Sequence, residues 1–263
     1  MVRDREQLGA TFDRSAELYD EVRPVYPADL IDDLVRFSAI PDGGRILEIG
    51  CGTGKATLPF ARRGYRLLCL EPGANLAAVA RHNLAAFPSV EVRVASFEEW
   101  ALESAAFDLV VAATSFAWVD PAVRYWKTIE ALRPGGCVAV FWLAHVQLPG
   151  EGGFYDAVQE LYRRYMPEEA GRPRSPADLP TTVDPAFLAT GLGEEVAVRH
   201  YPWAEIYPTA RYLDLLRTFS GHIALPEPAR QALFDGVAAL IDREFDGQLV
   251  RNHVAVLQLA RRV

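Results

Sequence analysis

The sequence has no excess of basic residues. Lys and Arg number 27 against 35 Asp and Glu, a formal charge of −8 with a pI of about 5.2. No run rich in Lys and Arg occurs, and the terminal pair Arg261-Arg262 reads as solvated surface. A nucleic-acid partner, which calls for a basic face, is therefore not expected. Cysteine is scarce. Cys51, Cys69 and Cys137 are odd in number and lack metal-ligand spacing, so no metal site is expected and the thiols read as reduced, in a cytoplasmic protein. No apolar run approaches the ~18 residues of a spanning helix. The N-terminal residues mix charge with scattered apolar positions, unlike a secretory leader, so no membrane partner is expected. Internal repeats and low-complexity tracts are also missing.

What is present is apolar material. Half of the 263 residues are hydrophobic, ample for one large domain or a core with a cap. Residues 3–18, with Leu8, Phe12, Ser15 and Leu18, suggest a short amphipathic helix. Tyr19 to Pro27 carries two prolines and suggests an ordered extended loop. A helix is expected over 28–37, with Leu30, Ile31, Leu34 and Val35 on one face. Strands follow at 45–49, 66–71, 90–94, 107–113 and 137–143, separated by helical stretches and by Gly or Pro punctuation, including a turn at Arg133 to Gly136. Such alternation predicts a parallel sheet with helices on both faces. The regular pattern ends near residue 143. Beyond it come helix-like stretches (Phe154 to Tyr165, Thr209 to Phe219, Pro228 to Phe245), a Pro/Arg-rich segment at 171–176, and strand-like alternation at 194–206 and 251–260. The expected organisation is a core with an N-terminal lid at 1–143, a helical cap with an edge strand at 144–235, and a return to the sheet at 236–263.

Ligands of such sheets bind beyond the carboxyl ends of the strands. The loops there are 50–54, 71–73, 95–99, 114–118 and 143–147. The first, Glu48-Ile-Gly-Cys-Gly-Thr-Gly54, joins a buried strand to a helix and brings bare backbone close to a ligand. It could be an ordinary strand–helix turn. Its glycines are spaced Gly-x-Gly-x-Gly, tighter than the Gly-x-Gly-x-x-Gly that cradles a dinucleotide pyrophosphate. Glu48 beside it disfavours phosphate and suits a cationic group. Glu71 ends the second strand, where a carboxylate can accept hydrogen bonds from both hydroxyls of a ribose; NAD enzymes use the same device.

The stretch from Glu48 to Gly54 resembles the first motif of class I S-adenosylmethionine (SAM)-dependent methyltransferases. SAM carries an amino group and a sulfonium and no phosphate. Thr114-Ser-Phe-Ala-Trp-Val-Asp-Pro121 resembles the segment after the fourth strand in small-molecule methyltransferases of the trans-aconitate type. Ala117 stands where that group often has His. The Asn/Asp-Pro-Pro-Tyr run of amino-group methylases acting on nucleobases or glutamine is missing. The resemblance covers residues 10–143 and, more loosely, the remainder. It implies a doubly wound, Rossmann-like α/β fold with a seven-stranded sheet in the order 3-2-1-4-5-7-6, the last-placed strand antiparallel, and a helical cap insertion. It implies a cofactor site from Gly50, Cys51, Gly52 and Gly54 with Glu48, from Glu71 and Pro72 at the ribose, from Ser96, Phe97 and Glu98 around the adenine, and from Thr114 and Trp118. Tyr19 would close over the sulfonium and Arg23 would pair with the SAM carboxylate. Transfer to a small-molecule acceptor, leaving S-adenosyl-L-homocysteine, needs only a nucleophile held in line with the methyl–sulfur bond, roughly 3–3.5 Å away, and exclusion of water. A hydroxyl or ammonium acceptor needs a base as well, and His145 and His222 are the candidates, each also readable as structural. The alternatives are an NAD(P)-dependent oxidoreductase and a non-catalytic SAM-binding protein.

Overall fold

The computed structural model describes residues 13, 15–148, 153–171, 175–192 and 194–263. Leu8, Phe12 and part of the Pro/Arg-rich segment lie outside the described residues. A seven-stranded sheet has the order β3-β2-β1-β4-β5-β7-β6, as the resemblance implied. The strands are β1 (Arg45–Ile49), β2 (Arg66–Glu71), β3 (Val90–Val94), β4 (Phe107–Ala113), β5 (Leu132–Val146), β6 (Glu194–Pro208) and β7 (Gln248–Arg261). β3, β2, β1, β4 and β5 pair in parallel. β7 runs against β5: Gly135 at the start of β5 and Arg262 just past the end of β7 join through a backbone bond of 2.9 Å, and Arg262 N–H returns one to the Gly136 carbonyl at 2.8 Å. The sheet is therefore mixed.

The chain divides into two compact units. One, the glycine-loop unit, comprises Pro24–Leu143, Pro180–Tyr201 and Ala255–Val263. The other comprises the described residues up to Arg23, with Ala144–Leu179 and Pro202–Val254. Residues up to Arg23 and 236–254 cluster with the expected cap, and 180–201 cluster with the core, because Val183 and Phe187 pack into the glycine-loop unit's own apolar cluster.

In the glycine-loop unit the helices are α2 (Ala28–Ser38), α3 (Thr57–Arg62), α4 (Ala74–Asn83) and α5 (Pro121–Ala131), preceded in the chain by α1 (Ala16–Val22) of the other unit. α2 buries Leu30, Ile31 and Leu34, one stripe of a 3.6-residue repeat. Asp120 caps α5 by accepting from Ala122 N–H at 2.8 Å, and Pro121 fits the first helical position, where no N–H is needed. β1 and β4, central in the sheet, are buried on both faces along nearly their whole length. The second unit packs α1, α6 (Phe154–Tyr165), α7 (Thr209–Leu216) and α8 (Glu227–Glu244) around Val158, Tyr207, Leu215, Leu233, Phe234 and Val237.

Two expectations change. Tyr19 to Val22 is the end of α1 and not extended loop; only from Arg23 does the chain extend toward Pro24 and Pro27. Arg133-Pro-Gly-Gly136, expected as a turn, is continuous with β5, because β7 supplies backbone partners to both glycines. No helix among the described residues is long and apolar enough to cross a membrane. The three cysteines are unpaired and buried.

Leu47 sits at the centre of β1 with no exposed surface, paired with Leu68 on one side and Val110 on the other. Leu47→Ala is expected to cost about 2–5 kcal/mol, read as a lower urea midpoint at unchanged slope.

Candidate functional site

The loop after β1 is built by left-handed glycines. Gly50, Gly52 and Gly54 have φ of +66°, +56° and +86°. A Cβ on Gly50 would lie 2.6 Å from Ser115 Cβ, and one on Gly54 would lie 2.9 Å from Leu84 Cδ1. Those two glycines admit close packing. Gly52 differs: nothing lies within 4 Å of where its Cβ would sit, so bare backbone faces open space. The loop's amides are turned inward. Gly50 and Cys51 donate to the Leu70 carbonyl at 2.8 and 3.1 Å, and Gly54 donates to the Cys51 carbonyl at 2.9 Å. Gly52 N–H donates to Glu71 Oε2 at 2.8 Å, and Gly73 N–H donates to Oε1 at 2.9 Å. A phosphate cradle needs such amides free and turned outward; here four of them are used, and one is used by a carboxylate. Asn83 at the end of α4 fixes the far side by donating to the Thr53 carbonyl at 3.0 Å.

Glu48 lies beneath this loop with no exposed surface. Thr57, the first residue of α3, donates its hydroxyl to Oε2 at 2.7 Å. Oε1 has no partner among the described residues. Burial, with the nearby Glu71 charge adding to it and the Thr57 bond opposing, pushes the carboxyl up to about 8. At neutral pH Glu48 therefore holds a proton in the ligand-free protein. The sequence suggested a fixed negative charge here; the structure gives a buried acid that keeps its proton at neutral pH, and a cation approaching Oε1 would favour its ionisation. The Cys51 thiol is held well above its ordinary range by the neighbouring Cys69 and by burial, which removes it as a nucleophile.

Ser115, not singled out from the sequence, locks the fourth loop to the first by donating its hydroxyl to the Ile49 carbonyl. Its only signal was its place just after β4. Thr114 before it has φ +59°, a strained conformation for a non-glycine residue, and its hydroxyl bonds Tyr26 at 2.7 Å. Tyr26 also stands edge-on to Phe141, with ring centroids 4.8 Å apart. Thr114 and Trp118 are exposed, and Pro72 is exposed beside the buried Glu71. In the third loop, Ser96 and Glu99 bond each other, and Glu98 accepts from Asp120 N–H at 2.8 Å. Phe97, expected as a cover for adenine, stacks on Trp100 inside the core instead, because Lys127 and the apolar cluster enclose it.

Tyr19, Arg23, His145 and His222 belong to the second unit. Arg23 donates to Thr218 Oγ1 at 2.8 Å and to the Thr218 carbonyl at 2.7 Å, with its guanidinium against Tyr19 and Phe219. His222 is buried, bonds Tyr162 at 3.0 Å, and is held neutral, with its pKa lowered to about 4 by burial and by the Arg251 charge. His145 closes a chain of hydrogen bonds. Tyr207 donates to Glu205 at 2.8 Å; His253 Nε2 meets the Tyr207 hydroxyl at 3.4 Å; His253 Nδ1 meets His145 Nδ1 at 3.1 Å. Because the Tyr207 hydrogen points to Glu205, His253 Nε2 carries the hydrogen to Tyr207, and its Nδ1 accepts from His145. That assignment leaves a lone pair on His145 Nε2. Burial, with Arg251, His253 and Arg23 adding to it, lowers the His145 pKa well below 6.5.

The sheet order and the strand–glycine–helix unit define the fold of the class I methyltransferases. Residues 46–136 match the family model described as a methyltransferase domain. An uncharacterized methyltransferase of Mycobacterium tuberculosis is 27% identical over 241 residues, 92% of this chain and 89% of that one. A malonyl-[acyl-carrier protein] O-methyltransferase of Enterobacter lignolyticus is 30% identical over 172 residues, 64% of this chain and 66% of that one. Among solved structures, an Anaeromyxobacter dehalogenans protein assigned as a type II methyltransferase superposes with a TM-score of 0.62 at 24% identity, covering 92% of this chain and 98% of that one.

The Glu48 carboxyl gives a pH signature. Its folded pKa of about 8 lies above the ordinary carboxyl value of 4.5. Below pH 4.5 both folded and unfolded forms hold the proton. Between there and about 8 the unfolded form ionises and the folded form does not, so this group's stabilisation is lost as pH rises, at up to ~1.4 kcal/mol per pH unit. Glu48→Gln keeps the acceptor for Thr57 and cannot ionise. Urea unfolding from pH 4 to 9 is expected to show the variant gaining on the natural protein across that window. A difference independent of pH would mean that Glu48 is ionised in the fold.

Proposed function

We propose that the protein is a SAM-dependent methyltransferase acting on a small-molecule acceptor. One observation carries the cofactor reading: the loop after β1 exposes bare backbone at Gly52 while its amides are turned away from any phosphate. The same observation goes against an NAD(P) pyrophosphate. The chemistry of the remaining groups fits SAM. The unpartnered Oε1 of Glu48 is the acceptor for a cationic amino group, which would draw the proton off the carboxyl. Glu71, held by the amides of Gly52 and Gly73, is the acceptor for the ribose hydroxyls. Ser96 and Glu98 are the polar groups for the adenine, with Thr114 and Trp118 beyond β4. SAM supplies a methyl group that its sulfonium has already made electrophilic.

The chain's own residues then have to bind, orient and keep water out. For a hydroxyl or ammonium acceptor we assign the base to His145. Its Nε2 lone pair is set by the bonds through His253 and Tyr207, and its low pKa keeps it neutral. His222 is the second candidate, with Tyr162 on its Nε2. Segment 114–121 supports a place among the trans-aconitate type, and with it a small acceptor.

Calorimetric titration with SAM tests the cofactor assignment; the absence of binding at millimolar SAM would sink it. Glu71→Gln is expected to weaken SAM binding about ten- to a hundredfold, the loss of a hydrogen bond to a charged group. His145→Gln is expected to lower turnover by roughly 10²–10⁴-fold with cofactor affinity retained. In the natural protein activity should fall toward acid only below pH 6.5, where His145 takes up its proton; an acid limb above that would assign the base elsewhere.

A further inference from the structure

Arg251 lies on β7 in the second unit and is 6% exposed. A guanidinium stays charged in any protein interior. Its Nη2 donates to the Tyr155 hydroxyl at 3.3 Å, and its face lies over Tyr212, 5.2 Å from the ring centroid. Nη1 is buried and has no hydrogen-bond partner among the described residues. Nor does any carboxylate pair with the guanidinium among them; Glu205, bonded to Tyr207, pairs with Arg211. The other basic groups do not share the charge. His222, His253 and His145 are held neutral, by burial first and by the Arg251 charge next. A buried, uncompensated positive charge is costly to a fold and is kept where something outside the chain compensates it.

We propose that Arg251 is the anchor of a binding site for an organic carboxylate in the interior of this unit. A single guanidinium balances a single negative charge. A carboxylate meets that condition, whereas a phosphate dianion would leave one negative charge buried. The free Nη1 edge supplies a charge-assisted hydrogen bond. Phe154, Tyr155 and Tyr212 suit a ligand with a flat apolar body. Tyr155, which accepts from the guanidinium, is only half-buried and so is the side of the site nearest solvent. This site does not depend on the cofactor at the glycine loop.

The test uses the full chain with benzoate, its uncharged isostere benzamide, and inorganic phosphate, read by calorimetry and thermal melting at pH 7.5. Benzoate is expected to bind and to raise Tm, with benzamide and phosphate at least about tenfold weaker. Arg251→Met is expected to abolish the benzoate response while the free variant melts no lower than the natural protein, because an apolar isostere removes an uncompensated charge. Arg251→Lys, which keeps the charge and loses the planar fork, is expected to weaken benzoate about tenfold and decides the matter if the Met variant does not fold. Benzoate that does not bind at 10 mM, binds no better than benzamide, or binds the Met variant as well as the natural protein overturns the proposal. So does phosphate binding as tightly as benzoate. SAM titration of the same samples keeps a failure here separate from a failure of the cofactor assignment.

Discussion

The bond from Gly52 N–H to Glu71 Oε2 ties the ends of two neighbouring strands together. β1 and β2 are already paired along their length, and the bond extends that pairing into the loops. It holds the glycine loop against the end of Glu71's own strand and keeps the carboxylate still. A carboxylate fixed by two amides cannot swing to solvent, so whatever it recognises meets a rigid acceptor. The remaining loop features depend on this. Gly50 can touch Ser115 only because the loop turns in the left-handed region, and Ser115 in turn anchors the strained Thr114.

The two units bury different charges. The glycine-loop unit buries three acids, Glu48, Glu71 and Asp108, beside one base, Lys127, with Glu48 protonated. The second unit buries Arg251 and three histidines that stay neutral around it. Among the buried polar atoms without a hydrogen-bond partner, Glu48 Oε1 in one unit and Arg251 Nη1 in the other call for ligand groups of opposite charge.

The sheet was legible in the sequence because each strand is a local pattern. β1, β2, β3 and β4 follow the apolar runs, and their order came through the motif resemblance. The glycine loop and Glu71 were legible for the same reason: both are adjacent to a strand end. Phe97 was misread because an aromatic in a loop looks the same from sequence whether it covers a ligand or stacks on Trp100. β5 was cut short because Pro134-Gly135-Gly136 is turn chemistry locally, and the partner that straightens it lies more than a hundred residues away at Arg262. The network of His145, Glu205, Tyr207 and His253, and the isolation of Arg251, were invisible. No spacing rule connects residues that meet only after β5, β6 and β7 have assembled.

The division into units carries a consequence for synthesis. Neither unit is continuous in the chain: the glycine-loop unit includes Ala255–Val263, and the second unit ends at Val254. Strands β5, β6 and β7 each pass from one unit to the other. As the chain leaves the ribosome, β1 to β4 can pair early, but β7, which lies between β5 and β6, arrives last. Until then β5 has an open edge beyond β4, and β6 lacks the strand it pairs with. The interval between the completion of β5 and the arrival of β7 is when the nascent protein most needs shielding from other chains.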